Sequence, residues 1–110
     1  MQFLLVSIRE AHASDAWQMS SNERDGVVHA TPKNLAERCE LAETCVAGLK
    51  VDFPTLVDGF DDATDEAYHG WPERLCLVDT DGRIRFLSAP GPFGFDPDAL
   101  ATALAALPAR

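Results

Sequence analysis

The run Phe3-Leu4-Leu5-Val6-Ser7-Ile8 is of β type and apolar, and it breaks off into Arg9-Glu10-Ala11-His12 and then small and polar residues. Runs like this, apolar on both faces, are central strands of parallel or mixed sheets. Open α/β sheets place ligands and catalytic groups just beyond the carboxyl ends of such strands. Glu10 and His12 stand there. The run also begins almost at Met1, with no edge element or capping segment before it. That sets the expectation of a longer protein whose N-terminal part precedes this sequence.

A chain of 110 residues fits a single domain, residues 1–110, with one core. Its hydrophobic fraction of 46% and charged fraction of 25% are ordinary for a globular protein. No apolar run approaches the roughly 20 residues that span a bilayer, and no basic segment precedes Phe3 to make a signal peptide. A net charge of −9 repels phosphate backbones and anionic lipid. Neither nucleic acid nor membrane is expected as a partner.

The three cysteines, Cys39, Cys45 and Cys76, form no Cys-x-x-Cys pair. Cys39 and Cys45 fall on one predicted helix, separated by a rise of about 9 Å, too far for a disulfide. An odd count without a framework suits a reducing compartment, so mostly buried free thiols and a cytoplasmic location are expected. The histidines share no metal-ligand spacing, and no metal is expected.

Strand and helix signals then alternate. A polar loop runs from Arg9 to about Ala30. Thr31-Pro32 reads as a helix start, with Thr31 as N-cap. Leu35, Cys39, Ala42, Val46 and Leu49 follow at helical spacing, and Gly48 marks the end. Phe53 to Val57 reads as a strand, and Asp61 to His69 as a short acidic helix, with His69 at its dipole-favoured end. Arg74 to Val78 and Arg83 to Leu87 flank Asp79-Thr80-Asp81-Gly82, a hairpin signal. Asp96-Pro97 opens a last helix carrying Leu100, Leu104 and Leu107. The order β-α-β-α-β-β-α is that of an α/β protein resembling the thioredoxin-like fold without its first strand and first helix. Trp71-Pro72, just before the hairpin, stands where thioredoxin-like proteins carry a cis-proline; otherwise it is a proline that starts a strand.

Four segments then resemble one family in order. Glu10-Ala11-His12-Ala13-Ser14-Asp15-Ala16-Trp17 is similar to the EAHxSDGW signature of the iodothyronine deiodinases. Asn34-Leu35-Ala36-Glu37-Arg38 resembles their NLxxR helix start, and Trp71-Pro72-Glu73-Arg74-Leu75 their PERL segment. Gly91-Pro92-Phe93-Gly94-Phe95-Asp96-Pro97 resembles GPxGYxP. The resemblance implies reductive removal of iodine from an aromatic ring by a selenocysteine or cysteine, regenerated by an external thiol, with no bound cofactor. It places that nucleophile at the end of the family's first strand, upstream of the EAH segment, at a position expected to lie before Met1. Cys39 lies on a helix core face and Cys76 in an apolar strand that blunts its reactivity, so neither replaces it. The chain by itself is expected to be inactive.

His12 could donate to substrate or relay a proton, a role its ordinary pKa suits and the resemblance implies. Glu10 points to the same side if the strand geometry persists, and could orient the imidazole. His29 lies at the distance after the EAH segment where the family has a second histidine. Glu73 matches a family glutamate near the substrate, and Trp71 with Pro72 could border an aromatic or halogenated one. For each there is a plainer reading: loop histidines bonded to backbone, solvated carboxylates, and a tryptophan, Trp17 above all, that covers core.

Two departures bear on the substrate. Ser7 stands where animal members have a tyrosine, and Ala89-Pro90 where they have a basic residue that clamps a carboxylate. An acidic chain without that clamp is a poor fit for an anionic iodothyronine. Two other functions use the same fold. One is a non-catalytic thioredoxin-like module that binds a partner through an exposed sheet edge, in a chain whose apolar surface would also tend to dimerise or aggregate. The other is a fragment of a peroxiredoxin-type peroxidase.

Overall fold

In the computed structural model, which describes residues 1–10 and 30–108, the elements follow one another in the order β-α-β-α-β-β-α. They are β1 (Leu5–Ser7), α1 (Leu35–Leu49), β2 (Thr55–Val57), α2 (Ala63–Tyr68), β3 (Cys76–Val78), β4 (Ile84–Leu87) and α3 (Pro97–Ala105). This mixed α/β order is the one expected of a partial thioredoxin-like fold. The chain divides into two compact units, Met1–Tyr68 and His69–Arg110.

In the first unit β1 and β2 pair in parallel, with Leu5 opposite Thr55 and Ser7 opposite Val57. Parallel neighbours need a crossover, usually a helix, and α1 supplies it and packs on β2. The helix starts later than the sequence predicts. Asn34, not Thr31, is the N-cap: its side chain accepts from the Glu37 amide at 2.9 Å, and the Glu37 carboxylate reaches back to the Lys33 amide. That is a near relative of the capping box, shifted by one donor, and it outcompetes the Thr-Pro start. At the other end Lys50 takes the left-handed conformation and its amide closes on the Val46 and Ala47 carbonyls. The helix therefore runs past Gly48.

Burial departs from the sequence reading in two places. Phe3, Leu4 and Leu5 are exposed, because among the described residues β1 has β2 as its one paired neighbour. It is not flanked on both sides as a central strand would be. Leu35 and Leu49, at the ends of the predicted apolar stripe, are also exposed, and the inward face of α1 centres on Arg38 and Ala42. The thiols are likewise more open than expected: Cys39 is half-buried, while Cys45 and Cys76 are exposed.

In the second unit β3 and β4 form the predicted antiparallel hairpin, with Cys76 opposite Leu87 and an irregularity at Leu77/Val78. Its turn is built by Asp79, whose carboxylate accepts from the amides of Asp81 and Arg83 and from Arg85 Nε at 2.6 Å. Gly82 takes a positive φ of 80°, which a side chain would resist. Those bonds hold the Asp79 carboxyl below its ordinary value. Helix α3 packs on both strands. Asp96 caps it, accepting from the Ala99 amide, and Pro97 fills a first-turn position where no amide hydrogen is needed. Among the described residues no helix is long and apolar enough to cross a membrane.

Candidate functional site

The carboxyl end of the β1–β2 pair is held by a dense set of polar bonds. The Asp58 amide, just past β2, donates to the Ser7 carbonyl at 2.8 Å and continues the ladder by one step. The Asp58 side chain then turns to α2: its two oxygens accept from the Thr64 and Asp65 amides, both at 2.9 Å. These are first-turn donors that the helix itself leaves without partners. Asp65 in turn takes Arg9 Nε at 2.7 Å, which ties down the residue immediately before Glu10.

Arg38 completes the set from below. It is buried, and donates to the carbonyls of Asp58 at 3.3 Å and Gly59 at 2.8 Å and to the Asp62 carboxylate at 2.9 Å. Its guanidinium carbon lies 4.8 Å from the centre of the Phe60 ring, a cation–π distance. Asp62 adopts a positive φ of 58°, and its carbonyl accepts from the Glu66 amide. The loop between β2 and α2 is thus clamped by one planar donor, which an ammonium could not match in geometry.

Asp58 is buried, which alone raises a carboxyl pKa; the amides of Asp65 and Thr64, the Thr64 hydroxyl and the Gly59 amide outweigh that and leave it lowered. A group with a folded pKa below its unfolded one contributes stability that is complete above the unfolded value. That contribution is lost as the pH falls through the folded value. Asp58→Asn is therefore expected to cost about 1 kcal/mol near neutrality, the usual scale of a lost cap. The gap between wild type and variant narrows as the pH falls below 3.8, the ordinary aspartate value. Urea unfolding of both chains across that range checks this, and a constant gap contradicts it.

Glu10 is half-buried just after this clamp. It acts electrostatically on Cys45: Cys45 is exposed, yet the burial it has, and then the Glu10 charge, push its thiol above the ordinary value. Burial also raises the Cys76 thiol, against the opposing charge of Arg74. Neither cysteine is set up as a thiolate. His12 and His29, with Trp17, lie outside the described residues, so the Glu10–His12 pairing rests on the sequence. Among the described residues no group of three or more His, Cys, Asp and Glu side chains could hold a metal ion.

In the second unit, Trp71, Pro72 and Glu73 form the turn before β3, and the Trp71–Pro72 peptide is cis. Gly91–Pro92 is cis as well, which the sequence reading did not foresee. The Glu73 carbonyl accepts from the Gly91 amide at 2.8 Å, and a Cβ on Gly91 would collide with the Glu73 side chain. Arg74 is spent on the carbonyls of Ser88 at 2.6 Å and His69 at 3.4 Å. The buried Ser88 hydroxyl accepts from the Leu75 amide and donates to the Ala89 carbonyl. His69, expected at a helix end, sits just past α2 with a positive φ of 49°.

Arg38 and Asp58 are the residues that sequence reasoning missed as organisers. A signal for Arg38 was present: it lies three residues after Leu35 and four before Ala42, on the face read as apolar. For Asp58, the sign was an aspartate closing a short strand six residues before a helix turn, which spacing alone does not separate from a solvated loop acid.

Comparison with known proteins sets these features in a family. Residues 1–107 match the family model described as iodothyronine deiodinase. This chain belongs to the iodothyronine deiodinase family. It is similar to thyroxine 5-deiodinase of Gallus gallus, 34% identical over 102 residues that make up 91% of this chain and 37% of the relative. It is also similar to type II iodothyronine deiodinase of Petromyzon marinus, 36% identical over 83% of this chain and 31% of that protein. For the type II enzyme of Homo sapiens the identity is 30%, over 86% of this chain and 35% of the relative. This deiodinase-family chain therefore spans about a third of the length of the curated relatives it matches. The family match covers the Arg38 clamp, the Trp71–Glu73 turn and the Gly91–Phe95 loop alike.

Proposed function

We propose that this chain works within a thiol- or selenol-dependent reductive dehalogenase acting on an aromatic iodide, with the nucleophile supplied by residues outside these 110. The observation that carries this reading is the clamp at the carboxyl end of β1, which fixes Arg9 and so sets where the Glu10–His12 segment starts. In the overall step one carbon–iodine bond breaks and iodide leaves. The ring carbon gains a hydrogen, two thiols become a disulfide, and one proton is released. In this reading His12 delivers or relays the proton, Glu10 orients it, and His29 assists. Trp71, Pro72 and Glu73 serve the aromatic substrate. An external thiol is the reductant and no bound cofactor is needed. Free thiols suit a cytoplasmic setting for such chemistry.

The raised Cys45 and Cys76 thiols favour placing the nucleophile elsewhere, since the thiolate is the attacking form. The purified chain is expected to release no iodide from iodotyrosine or an iodothyronine with dithiothreitol. A longer form carrying a cysteine or selenocysteine segment ahead of β1 is expected to do so. Release from the short chain that is lost on Cys45→Ser or Cys76→Ser contradicts the assignment of the nucleophile. No release from the longer form contradicts the dehalogenase itself. The exposed Leu4 and Leu56 favour a second reading, a module that self-associates through the β1–β2 sheet. A sedimentation profile of the inactive longer form that shifts with concentration would support it.

A further inference from the structure

The segment Ala89 to Phe95 combines two properties that seldom coincide: its backbone is firmly held, and its largest side chain is wholly exposed. The Gly91 amide is bonded to the Glu73 carbonyl, the Gly94 amide to the Pro90 carbonyl at 3.1 Å, and the Phe95 amide to the Pro92 carbonyl at 3.4 Å. Gly94 lies so close to the Ala89 carbonyl that any Cβ there would collide with it. On this frame Phe93 is 100% exposed and Phe95 49%. Holding a bare aromatic ring in water gains nothing for folding, but the bonded backbone removes the loop-ordering part of the cost of using that ring to bind.

Acidic groups predominate along the chain on either side of the loop. No lysine, arginine or histidine occurs between Arg85 and Arg110, whereas Asp96 and Asp98 follow the loop directly. The Glu73 carboxylate lies against Gly91, two residues before Phe93. Of the nearby cations, Arg85 is paired with the Asp79 carboxylate and Arg74 has its guanidinium on the Ser88 and His69 carbonyls. The negative face of an exposed phenyl ring also favours a cation over an anion.

We propose that the Ala89–Phe95 loop binds an aromatic ligand bearing an ammonium group and disfavours one bearing a carboxylate, with Phe93 as the ring contact and Glu73 as the counter-charge. This rests on the dehalogenase reading, whose substrate class it narrows to iodinated aryl-alkyl amines. No redox step is involved, so binding to the chain itself is a sufficient test.

Amide NMR of the isotope-labelled chain, titrated with iodotyramine, uncharged iodophenol and iodinated hydroxyphenylacetate, reads the loop through Gly91, Gly94 and Phe95. Iodotyramine is expected to bind about two- to fivefold tighter than the acid, the scale of one exposed ion pair. Phe93→Ala is expected to weaken all three about two- to tenfold, the scale of an aromatic pair. Glu73→Gln is expected to abolish the preference for the amine over the acid, weakening iodotyramine more than iodophenol. Equal or tighter binding of the acid overturns the proposal, as does indifference to Phe93→Ala. Shifts at these amides on dilution of the chain alone overturn it too, by making the loop a contact between copies. Binding in this order without iodide release from the longer form leaves the proposal standing and removes the dehalogenase. Release with the acid preferred does the opposite.

Discussion

Replacing Arg38 with alanine is expected to lower the unfolding free energy of the chain by about 3 kcal/mol, the low end for removing one partner of a buried ion pair. The low end applies because Asp62, its carboxylate partner, keeps 30% of its side chain in water while Arg38 keeps 7%. The loss has several sources. The carbonyls of Asp58 and Gly59 lose their donor, the Phe60 ring loses its cation, and a cavity opens under α1. Urea midpoints of wild type and variant at equal slope give the difference. A loss below 1 kcal/mol would show the clamp to be incidental. If the alanine variant does not fold, Arg38→Lys decides: it keeps the charge and the stem but loses the fork, so a fall beyond that of Asp62→Ala is expected.

The second large effect belongs to His12, in a form of the protein that releases iodide. Turnover of His12→Ala is expected to drop about 100-fold or more, the usual scale of a positioned acid–base group. Its melting temperature is expected to stay nearly constant, since substitutions away from packed features stay within about 0.5 kcal/mol. A histidine held only by backbone bonds predicts the reverse, a lower melting temperature with turnover per folded molecule retained. Both measurements on one preparation separate the two, and full activity in the variant removes His12 from the chemistry.

The elements marked by punctuation residues were legible in the sequence: Asp79 to Gly82 as a turn, Asp96-Pro97 as a helix start, and the proline before β3. Each of these signals acts within a few residues, through a cap or a fixed φ, so no distant contact is needed to read it. The start of α1 misled because two local signals compete there, and the one with two bonds, the Glu37 amide to the Asn34 side chain and the Lys33 amide to the Glu37 carboxylate, wins over Thr31. The clamp was illegible for a different reason. Arg38 bonds to Gly59, and Asp58 to Thr64 and Asp65, across chain distances that hydropathy patterns do not encode. A buried arginine reads as a surface residue until its acceptors are known. The burial of β1 was misjudged because an apolar run reports what a strand could cover, not how many neighbours pair with it.

The Asp79 turn has a consequence for the order in which structure forms. Its carboxylate bonds to Asp81, Arg83 and Arg85, all within six residues, so closing the turn restricts a very short loop. The parallel pairing of Leu5 with Thr55 instead requires the ends of a long segment to meet before any ladder bond is gained. Local pairings of the first kind form in about 1–10 μs, whereas non-local ones wait on chain closure. In a freshly diluted chain the β3–β4 hairpin is therefore expected to form early and the β1–β2 pairing to be the slower step.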